Sequence, residues 1–214
     1  MFISHKYKVI FIHIQRTGGN SIQKIFEQFD PDLVAKVHIK PNQNRLKHCF
    51  ITDIKDVIEN DIFQDYLKFT IIRNPYDRIV SWYFKIKHET IDEPLAQDAK
   101  MLGDKVMLEV NKHANNFDEF LALPDNHDLF NRFHINQLDY ITKNNTVLVD
   151  KILSFENLAS DFNDLANEID FAGKLLHSNK SKRNSDYQNY YNDMTKNMIF
   201  QRFKKDFDYF GYKF

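Results

Sequence analysis

A pair of glycines inside a polar turn is the first feature of this sequence that could do chemistry. Five small or polar residues follow a β-branched and aromatic run and precede apolar residues at helical spacing: Thr17, Gly18, Gly19, Asn20 and Ser21. Such a turn presents the first N–H groups of a helix, and glycine lets an anion approach them. Arg16 adds a fixed positive charge. A tight turn with a left-handed glycine and an Asn or Ser cap would use the same residues, so the turn alone favours neither interpretation.

A second anion-binding position follows the next buried run. Arg73 ends that run, and Ser81 lies about two turns into the helix predicted after it. Arg73 could hold an anion with two parallel N–H donors, and the alternative is an ion pair with Asp77. For Arg78 we favour a solvated charge on the helix face. Two such turns at one sheet edge suit a ligand with phosphate groups at both ends, such as a nucleoside 3′,5′-bisphosphate.

The glycine turn does not match the G-x-x-x-x-G-K-[ST] loop of nucleoside-triphosphate enzymes. Aligning Gly19 and Ser21 with that loop puts Ile14 where the first glycine belongs and Asn20 where the lysine belongs. Neither strand end shows an obvious Mg²⁺-binding aspartate, although Asp150 stays open as a ligand. Phosphoryl transfer usually depends on a divalent metal, whereas a sulfuryl group carries less charge. The turn therefore favours sulfuryl transfer without a metal.

The elements that must position these residues alternate between strand and helix. The predicted strands cover 7–14, 68–73 and parts of 146–155, and the predicted helices cover 22–29, 52–62, 75 onward, 157 onward and 193–209. Residues 88–116 lack clear periodicity and are expected to form a solvated excursion or a surface helix pair. Alternating strands and helices predict an α/β fold in three layers, P-loop-like, with a central, mainly parallel sheet flanked by helices.

Length and composition are those of one ordinary globular domain, predicted to span residues 1–214. The chain has 214 residues, 43% of them apolar, with 29 basic and 30 acidic side chains. This balance gives no overall attraction to nucleic acid or to an anionic membrane. The single cysteine, Cys49, excludes an internal disulfide framework. The first residues lack a signal-peptide core and no apolar run is long enough to span a membrane, so a cytoplasmic protein is expected.

Together these motifs resemble the sulfotransferases that use 3′-phosphoadenosine 5′-phosphosulfate (PAPS), in particular the carbohydrate O-sulfotransferase branch with the heparan sulfate and uronyl enzymes and their bacterial relatives. The family's 5′-phosphosulfate loop, P-K-T-G-G-T-S, is similar to residues 15–21. Its 3′-phosphate motif, R-N-P-x-D-R-x-x-S, is matched at Arg73, Asn74, Pro75, Asp77, Arg78 and Ser81. Later signatures follow in the family's order, at 155–158, 179–181, 187–191 and 206–212.

The resemblance implies PAPS as the cofactor and adenosine 3′,5′-bisphosphate as its product. It implies donor contacts at Arg16, Thr17, Gly18, Gly19, Asn20, Ser21, Arg73, Ser81, Lys180 and Ser181. In the family, the loop lysine assists the departure of the oxygen that bridges phosphate and sulfate. Arg16 stands in its place and is expected to be both catalytic and cofactor-binding, although arginine keeps its charge and does not give up a proton.

Transfer to a hydroxyl group also requires a base, and two of the nine histidines are the main candidates. His48 precedes the helix that leads to the second anion strand, where the family has its base in a similar Lys-His element. His38 stays open, because a short strand there could face the acceptor. We favour His48, and we expect His13 to be buried with its hydrogen bonds satisfied.

The predicted function is transfer of a sulfuryl group from PAPS to a hydroxyl of a saccharide or glycoconjugate, with a histidine as general base. One alternative is a catalytically silent bisphosphate-binding protein, because Arg16 departs from the family's lysine. The other is a nucleotide-dependent phosphotransferase. No metal, no nucleic-acid partner and no transmembrane segment are predicted, and the sequence predicts neither the identity of the acceptor nor the oligomeric state.

Overall fold

The computed structural model describes residues 1–35, 47–88, 97–175 and 186–214. The strands in these ranges are β1 (Phe2–Ser4), β2 (Val9–Ile12), β3 (Leu67–Ile72), β4 (Thr142–Lys143), β5 (Thr146–Val147) and β6 (Lys151–Ser154). The helices are α1 (Gly19–Phe29), α2 (Ile51–Lys55), α3 (Asn60–Asp65), α4 (Pro75–His88), α5 (Gln97–His113), α6 (Phe117–Leu121), α7 (Leu158–Glu168), α8 (Asp193–Arg202) and α9 (Lys204–Phe210). Three short 3-10 turns accompany them, at Asn131–Phe133, Leu138–Tyr140 and Tyr187–Tyr190.

The described residues fall into two compact units. The first comprises those within 1–73 and 137–181, and the second comprises those within 74–136 and 182–214. Every strand named above belongs to the first unit, and the described part of the second unit consists of helices and turns. The prediction of a single domain over 1–214 is not tested by this division into two units.

A four-stranded sheet in the order β1-β2-β3-β6 forms the centre of the first unit. Strand β1 runs antiparallel to β2, whereas β2, β3 and β6 run parallel to one another. Phe11 pairs with Phe69 in the register of β2 and β3, and Thr70 pairs with Ile152 in that of β3 and β6. The predicted, mainly parallel sheet is confirmed. Strands β4 and β5 form a separate antiparallel pair.

Helices α1 and α7 pack against this sheet. Phe11 and Phe69 lie side by side in the register and join one buried cluster, because paired residues of neighbouring strands point to the same face. Ile22 and Phe26, one turn apart in α1, pack into that cluster together with Phe162 of α7. Full burial of a large apolar side chain contributes about 1.5–3 kcal/mol. Helices therefore flank the sheet, as predicted.

Helix α4 begins where the sequence predicts, at Pro75, and organises the second unit. Asn74 precedes it, and its Oδ1 accepts a hydrogen bond from the Tyr76 N–H at 3.0 Å. The amide of Asn74 also donates to the Tyr187 hydroxyl at 3.1 Å and to the Lys213 carbonyl at 2.8 Å. Asn74 thus joins the start of α4 to two later parts of the chain in the same unit.

Two predicted helices are interrupted. The helix expected over 52–62 is divided into α2 and α3, because Glu59, just before α3, has a φ of −58° and a ψ of 139°, which are not helical. Asp56 and the β-branched Val57 and Ile58, which lie between the two helices, have modest helix propensity. The helix expected over 193–209 is divided into α8 and α9 at Phe203, whose φ of −109° and ψ of 30° are not helical.

Of the two alternatives expected over 88–116, a solvated excursion or a surface helix pair, the second half forms a helix and not a solvated excursion. Residues 97–113 form the 17-residue helix α5. Val106 and Val110, one turn apart, are buried in the core of the second unit together with Val80 and Phe203. Polar residues occupy much of the rest of α5, which weakens the apolar periodicity that the sequence displays.

Candidate functional site

The carboxyl ends of three parallel strands meet at one edge of the sheet. Strand β2 is followed by the glycine turn, β3 by Arg73 and β6 by Phe155. The register keeps these strand ends level, since Ile72 at the end of β3 pairs with Ser154 at the end of β6. Open α/β sheets usually bind their ligands at this edge. The structure therefore brings the first predicted anion turn and Arg73 together.

Two residues of the glycine turn have a left-handed backbone. Gly18 has a φ of 88° and Arg16 a φ of 67°, both in the left-handed region, and α1 begins at Gly19. Among the described residues, no side chain caps α1 and no acidic residue lies in its first turn. The positive end of this helix is therefore suited to an anion. The left-handed Gly18 fits the tight-turn interpretation, but the Asn or Ser cap that this interpretation also included is absent, because Gly18 itself precedes the helix.

The polar side chains of the turn are placed differently from one another. Thr17 is fully buried, and its hydroxyl donates to the Ile14 carbonyl at 2.9 Å. Asn20 is exposed and Ser21 is half-buried. The Ser21 N–H donates to the Gly18 carbonyl at 3.1 Å, which closes the first helical turn. The Thr17 hydroxyl therefore stabilises the turn.

The Arg73 guanidinium points toward the glycine turn. Its Nη1 donates to the Arg16 carbonyl at 3.1 Å, and its carbon lies 3.9 Å from the centre of the Phe155 ring. Arg73 is only 5% exposed. The same ring contacts the turn, because a Cβ added to Gly18 would lie 3.0 Å from Phe155 Cδ2. Phe155 therefore lies between the two predicted anion-binding positions.

Two residues at this edge were not predicted as parts of a site. Gln137 hydrogen-bonds the backbone of Arg73 through its side-chain amide, although it lies in a stretch without a recognisable motif. In the sequence, Phe155 is marked only as the first residue of the signature at 155–158. No periodicity or spacing in the sequence pointed to either contact, because each depends on the register of the folded sheet.

His48 lies at the same edge of the sheet. Its Nδ1 is 2.8 Å from the carbonyl oxygen of His13, the residue after β2. A carbonyl only accepts hydrogen bonds, so Nδ1 carries the proton and the neutral ring has its lone pair on Nε2. This is the tautomer that a general base working through Nε2 requires.

Buried neighbours hold the loop that carries His48. Cys49 is 1% exposed and Ile51 is fully buried, while the Phe50 ring stacks on Tyr140 at 4.7 Å. Burial raises the pKa of the Cys49 thiol to about 11, so the thiolate that would act as a nucleophile is scarce at neutral pH. Cys49 therefore serves packing, whereas the neighbouring His48 is half-buried.

His13 is buried, as predicted. The prediction that all its hydrogen bonds are satisfied is wrong, because Nδ1 lacks a partner among the described residues. Burial lowers its pKa well below the usual value, and the neighbouring His48 acts in the same direction. The two rings meet edge to face at 4.6 Å. The ring also explains Gly19, where a Cβ would lie 2.4 Å from His13 Cδ2.

Asp150, left open as a metal ligand, lies at the opposite edge of the sheet. It precedes β6, and its carboxylate accepts from the Lys68 N–H at 2.7 Å and pairs with Lys68 Nζ at 2.9 Å. Lys68 lies near the start of β3, five residues before Arg73. Asp150 therefore supports the beginning of two strands and does not approach the anion turn.

The remaining residues of the second motif belong to the second unit. Ser81 is 4% exposed. The prediction that Arg78 is a solvated charge is wrong, because this side chain is 1% exposed and its Nη1 donates to the Ile135 carbonyl at 3.1 Å. The guanidinium also lies 5.8 Å from the centre of the Phe203 ring. Arg78 thus holds α4 against its neighbours within that unit.

Three predicted site residues, His38, Lys180 and Ser181, lie outside the described residues. Their predicted roles, the rival base and two cofactor contacts, stay predictions from the sequence. In the part of the chain that is described, no group of three or more metal-ligating side chains is placed to hold a metal ion. No helix in that part is long and apolar enough to cross a membrane.

Comparison with known proteins gives one match. The model of the Sulfotransferase family matches residues 1–213, which is nearly the whole chain. The searches of curated proteins and of solved structures found no match to this chain. The match covers the glycine turn, Arg73 and His48, so the residues gathered at the sheet edge all lie within the family's extent.

Proposed function

This chain belongs to the sulfotransferase family, and we propose that it transfers a sulfuryl group from PAPS to a hydroxyl of a saccharide or glycoconjugate. The observation that carries the proposal is the hydrogen bond from Arg73 Nη1 to the Arg16 carbonyl. It holds a guanidinium beside the positive end of α1 at one sheet edge. A ligand that carries anionic groups at both ends suits this arrangement.

The donors at this edge are chemically suited to PAPS. The N–H groups that begin α1 and the guanidinium of Arg73 favour phosphate and sulfate oxygens, and no acidic side chain lies in the first turn of α1. When bound, PAPS supplies the sulfuryl group and leaves as adenosine 3′,5′-bisphosphate. This donor set supports a P-loop-like role for the turn between β2 and α1.

We assign the donor contacts by end. Those for the 5′-phosphosulfate are Arg16, the backbone N–H groups of Thr17, Gly18 and Gly19, and the polar groups of Asn20 and Ser21. Arg73 is assigned to the 3′-phosphate. Three further donor contacts are proposed from the family motifs alone: Ser81, Lys180 and Ser181.

His48 acts as the base in the proposed reaction. The His13 carbonyl holds its Nδ1–H, so Nε2 can take the proton of the acceptor hydroxyl as the hydroxyl attacks. The positive charge of Arg16 stabilises the negative charge that grows on the departing phosphate oxygen. Holding base, acceptor and donor in line accounts for much of the rate in such transfers. The saccharide acceptor is proposed from the family resemblance.

Thermal shift separates this proposal from its alternatives. Adenosine 3′,5′-bisphosphate should raise the melting temperature more than ADP or ATP with Mg²⁺, because only the bisphosphate fills both anion positions. Arg73→Ala is the matched variant and should remove that difference. Preferential stabilisation by ATP with Mg²⁺ would favour a phosphotransferase and contradict the proposal.

Sulfate transfer from PAPS to a panel of saccharides then tests catalysis. Sulfated product that disappears when PAPS is omitted supports the enzyme. Tight bisphosphate binding without any product on the panel, even at high enzyme concentration, would instead favour the catalytically silent binding protein.

A further inference from the structure

One buried side-chain amide hydrogen-bonds both backbone polar groups of Arg73. The Arg73 N–H donates to Gln137 Oε1 at 2.9 Å, and Gln137 Nε2 donates to the Arg73 carbonyl at 2.8 Å. Gln137 is fully buried and lies 64 residues along the chain from Arg73. These two bonds have the pattern that a neighbouring strand would supply.

The position of Arg73 explains why a side chain must supply the hydrogen bonds that a neighbouring strand would otherwise make. The pairing of β3 with β6 ends at the bond from the Phe155 N–H to the Ile72 carbonyl, at 2.7 Å. Arg73 is the next residue, and β3 has ended before it. Buried backbone groups require partners, and an unpaired one destabilises the fold. The Gln137 amide satisfies both groups and fixes the backbone from which the Arg73 side chain extends.

The other end of the Arg73 side chain is held as well. Its guanidinium stacks on Phe155 and donates to the Arg16 carbonyl. An unrestrained arginine loses much rotamer entropy when it is fixed. A side chain that is already held at its base and at its tip loses less of that entropy when an anion binds.

We propose that Gln137 is a positioning residue for nucleotide binding: its amide holds the backbone of Arg73 so that the guanidinium is oriented for a phosphate before the ligand arrives. This inference rests on the proposed function, because it assigns Arg73 to the 3′-phosphate of the nucleotide. Gln137 itself need not touch the ligand.

The chemistry of glutamine is specific to this task. Its amide carries one acceptor and two donors on a side chain long enough to reach both groups of Arg73. Methionine has a similar length and volume without the strong donor and acceptor. Glutamate keeps the acceptor for the Arg73 N–H but presents an oxygen to the Arg73 carbonyl. Methionine therefore removes both hydrogen bonds, whereas glutamate removes the one to the Arg73 carbonyl, and neither opens a large cavity.

The test compares two nucleotides by isothermal titration calorimetry. Adenosine 3′,5′-bisphosphate carries the 3′-phosphate, and adenosine 5′-monophosphate lacks it. Gln137→Met should weaken bisphosphate binding by about 10- to 100-fold and leave monophosphate binding within about 2-fold, because the loss passes through Arg73. In an Arg73→Ala background, Gln137→Met should cause no further loss of affinity, as a double-mutant cycle would show.

Thr70→Val is the matched control. The Thr70 hydroxyl is buried in β3 and donates to the Ile12 carbonyl at 2.8 Å, so this variant also loses a buried side-chain bond to the backbone. It should lower the melting temperature without changing the ratio of the two nucleotide affinities. If Gln137→Met does not fold, Gln137→Glu replaces it, with the same expected loss confined to the bisphosphate.

The outcomes distinguish the two proposals. If the wild-type protein binds the bisphosphate no better than the monophosphate, the assignment of Arg73 fails, and the role of Gln137 falls with it. If the wild-type protein prefers the bisphosphate and the Gln137 variant keeps that preference, only the role of Gln137 is overturned. An equal loss for both nucleotides, or a full further loss in the Arg73→Ala background, also overturns it.

Discussion

At the scale of single residues, the backbone decides what the side chains at the sheet edge can do. The His13 carbonyl sets the tautomer of His48, and the Arg16 carbonyl directs the guanidinium of Arg73. Both carbonyls lie at the end of β2 or just beyond it. The backbone of one short segment therefore orients both His48, the proposed base, and Arg73, the proposed phosphate-binding residue.

Replacing His48 with alanine should remove the base and leave the anion positions intact. We expect His48→Ala to lower kcat by roughly 10²–10⁴-fold, with the affinity for adenosine 3′,5′-bisphosphate nearly unchanged. Steady-state sulfate transfer and calorimetry measure the two quantities. His113→Ala, an exposed histidine on α5, is the control and should retain both. A His48→Ala enzyme with near-native kcat would remove His48 from the mechanism and return attention to His38.

Arg16 should contribute to binding and to the chemical step. Arg16→Ala should weaken the affinity for the nucleotide and lower kcat by about 10²-fold, since a charge aimed at the leaving group is lost. Arg16→Lys restores the family's residue and should retain at least the wild-type kcat. Rapid-quench and steady-state rates with PAPS measure these effects. An Arg16→Ala enzyme that loses affinity but keeps its kcat would confine Arg16 to binding.

At the scale of elements, the turn between β2 and α1 depends on two glycines for different reasons. Gly18 needs a left-handed backbone and has the Phe155 ring beside it, whereas Gly19 needs space because the His13 ring lies against it. A larger residue at either glycine would therefore displace the Phe155 ring, on which Arg73 stacks, or His13, whose carbonyl accepts the hydrogen bond from His48. The proposed anion turn and the proposed base are therefore coupled through packing.

Gly18→Ala should cost more stability than the matched variant Gly211→Ala. Both glycines have a left-handed φ, 88° and 73°, in which alanine costs about 1–2 kcal/mol. A Cβ at Gly211 meets nothing within 4 Å, whereas one at Gly18 meets Phe155 at 3.0 Å. Urea unfolding should show the larger loss for Gly18→Ala, and only that variant should bind adenosine 3′,5′-bisphosphate more weakly. Equal losses in both measurements would contradict the packing argument.

At the scale of the whole molecule, histidines that are neutral in the folded state make stability depend on pH. Burial lowers the pKa of His134 to about 4, and Arg202 acts in the same direction while Asp125 opposes it. The unfolded chain titrates near about 6.5. Between these values the unfolded state binds a proton that the folded state does not. The free energy of unfolding therefore falls as the pH is lowered through this window.

Urea unfolding between pH 7 and pH 4.5 tests this linkage. The midpoint of the wild-type protein should fall as the pH decreases below about 6.5. His134→Gln removes one titrating group and should give a shallower fall. A His134→Gln profile parallel to that of the wild type would show that His134 does not contribute to the acid sensitivity.

The sequence by itself determined the local units: a strand, glycine turn and helix, then a strand ending in Arg73 with a helix from Pro75. Apolar periodicity, β-branched runs and turn residues act over a few neighbours, so they can be read without a fold. The parallel sheet followed from the alternation of these units. The same local patterns predicted one continuous helix over 52–62 and another over 193–209. Each is divided into two in the structure, because periodicity alone does not show where a helix ends.

Only the tertiary structure decided which distant residues meet. Gln137 reaches Arg73 across 64 residues and His48 reaches the His13 carbonyl across 35. It also decided that Arg78 is buried and that Asp150 lies at the far edge of the sheet. These outcomes depend on strand register and on burial by remote segments, which no short stretch of sequence encodes.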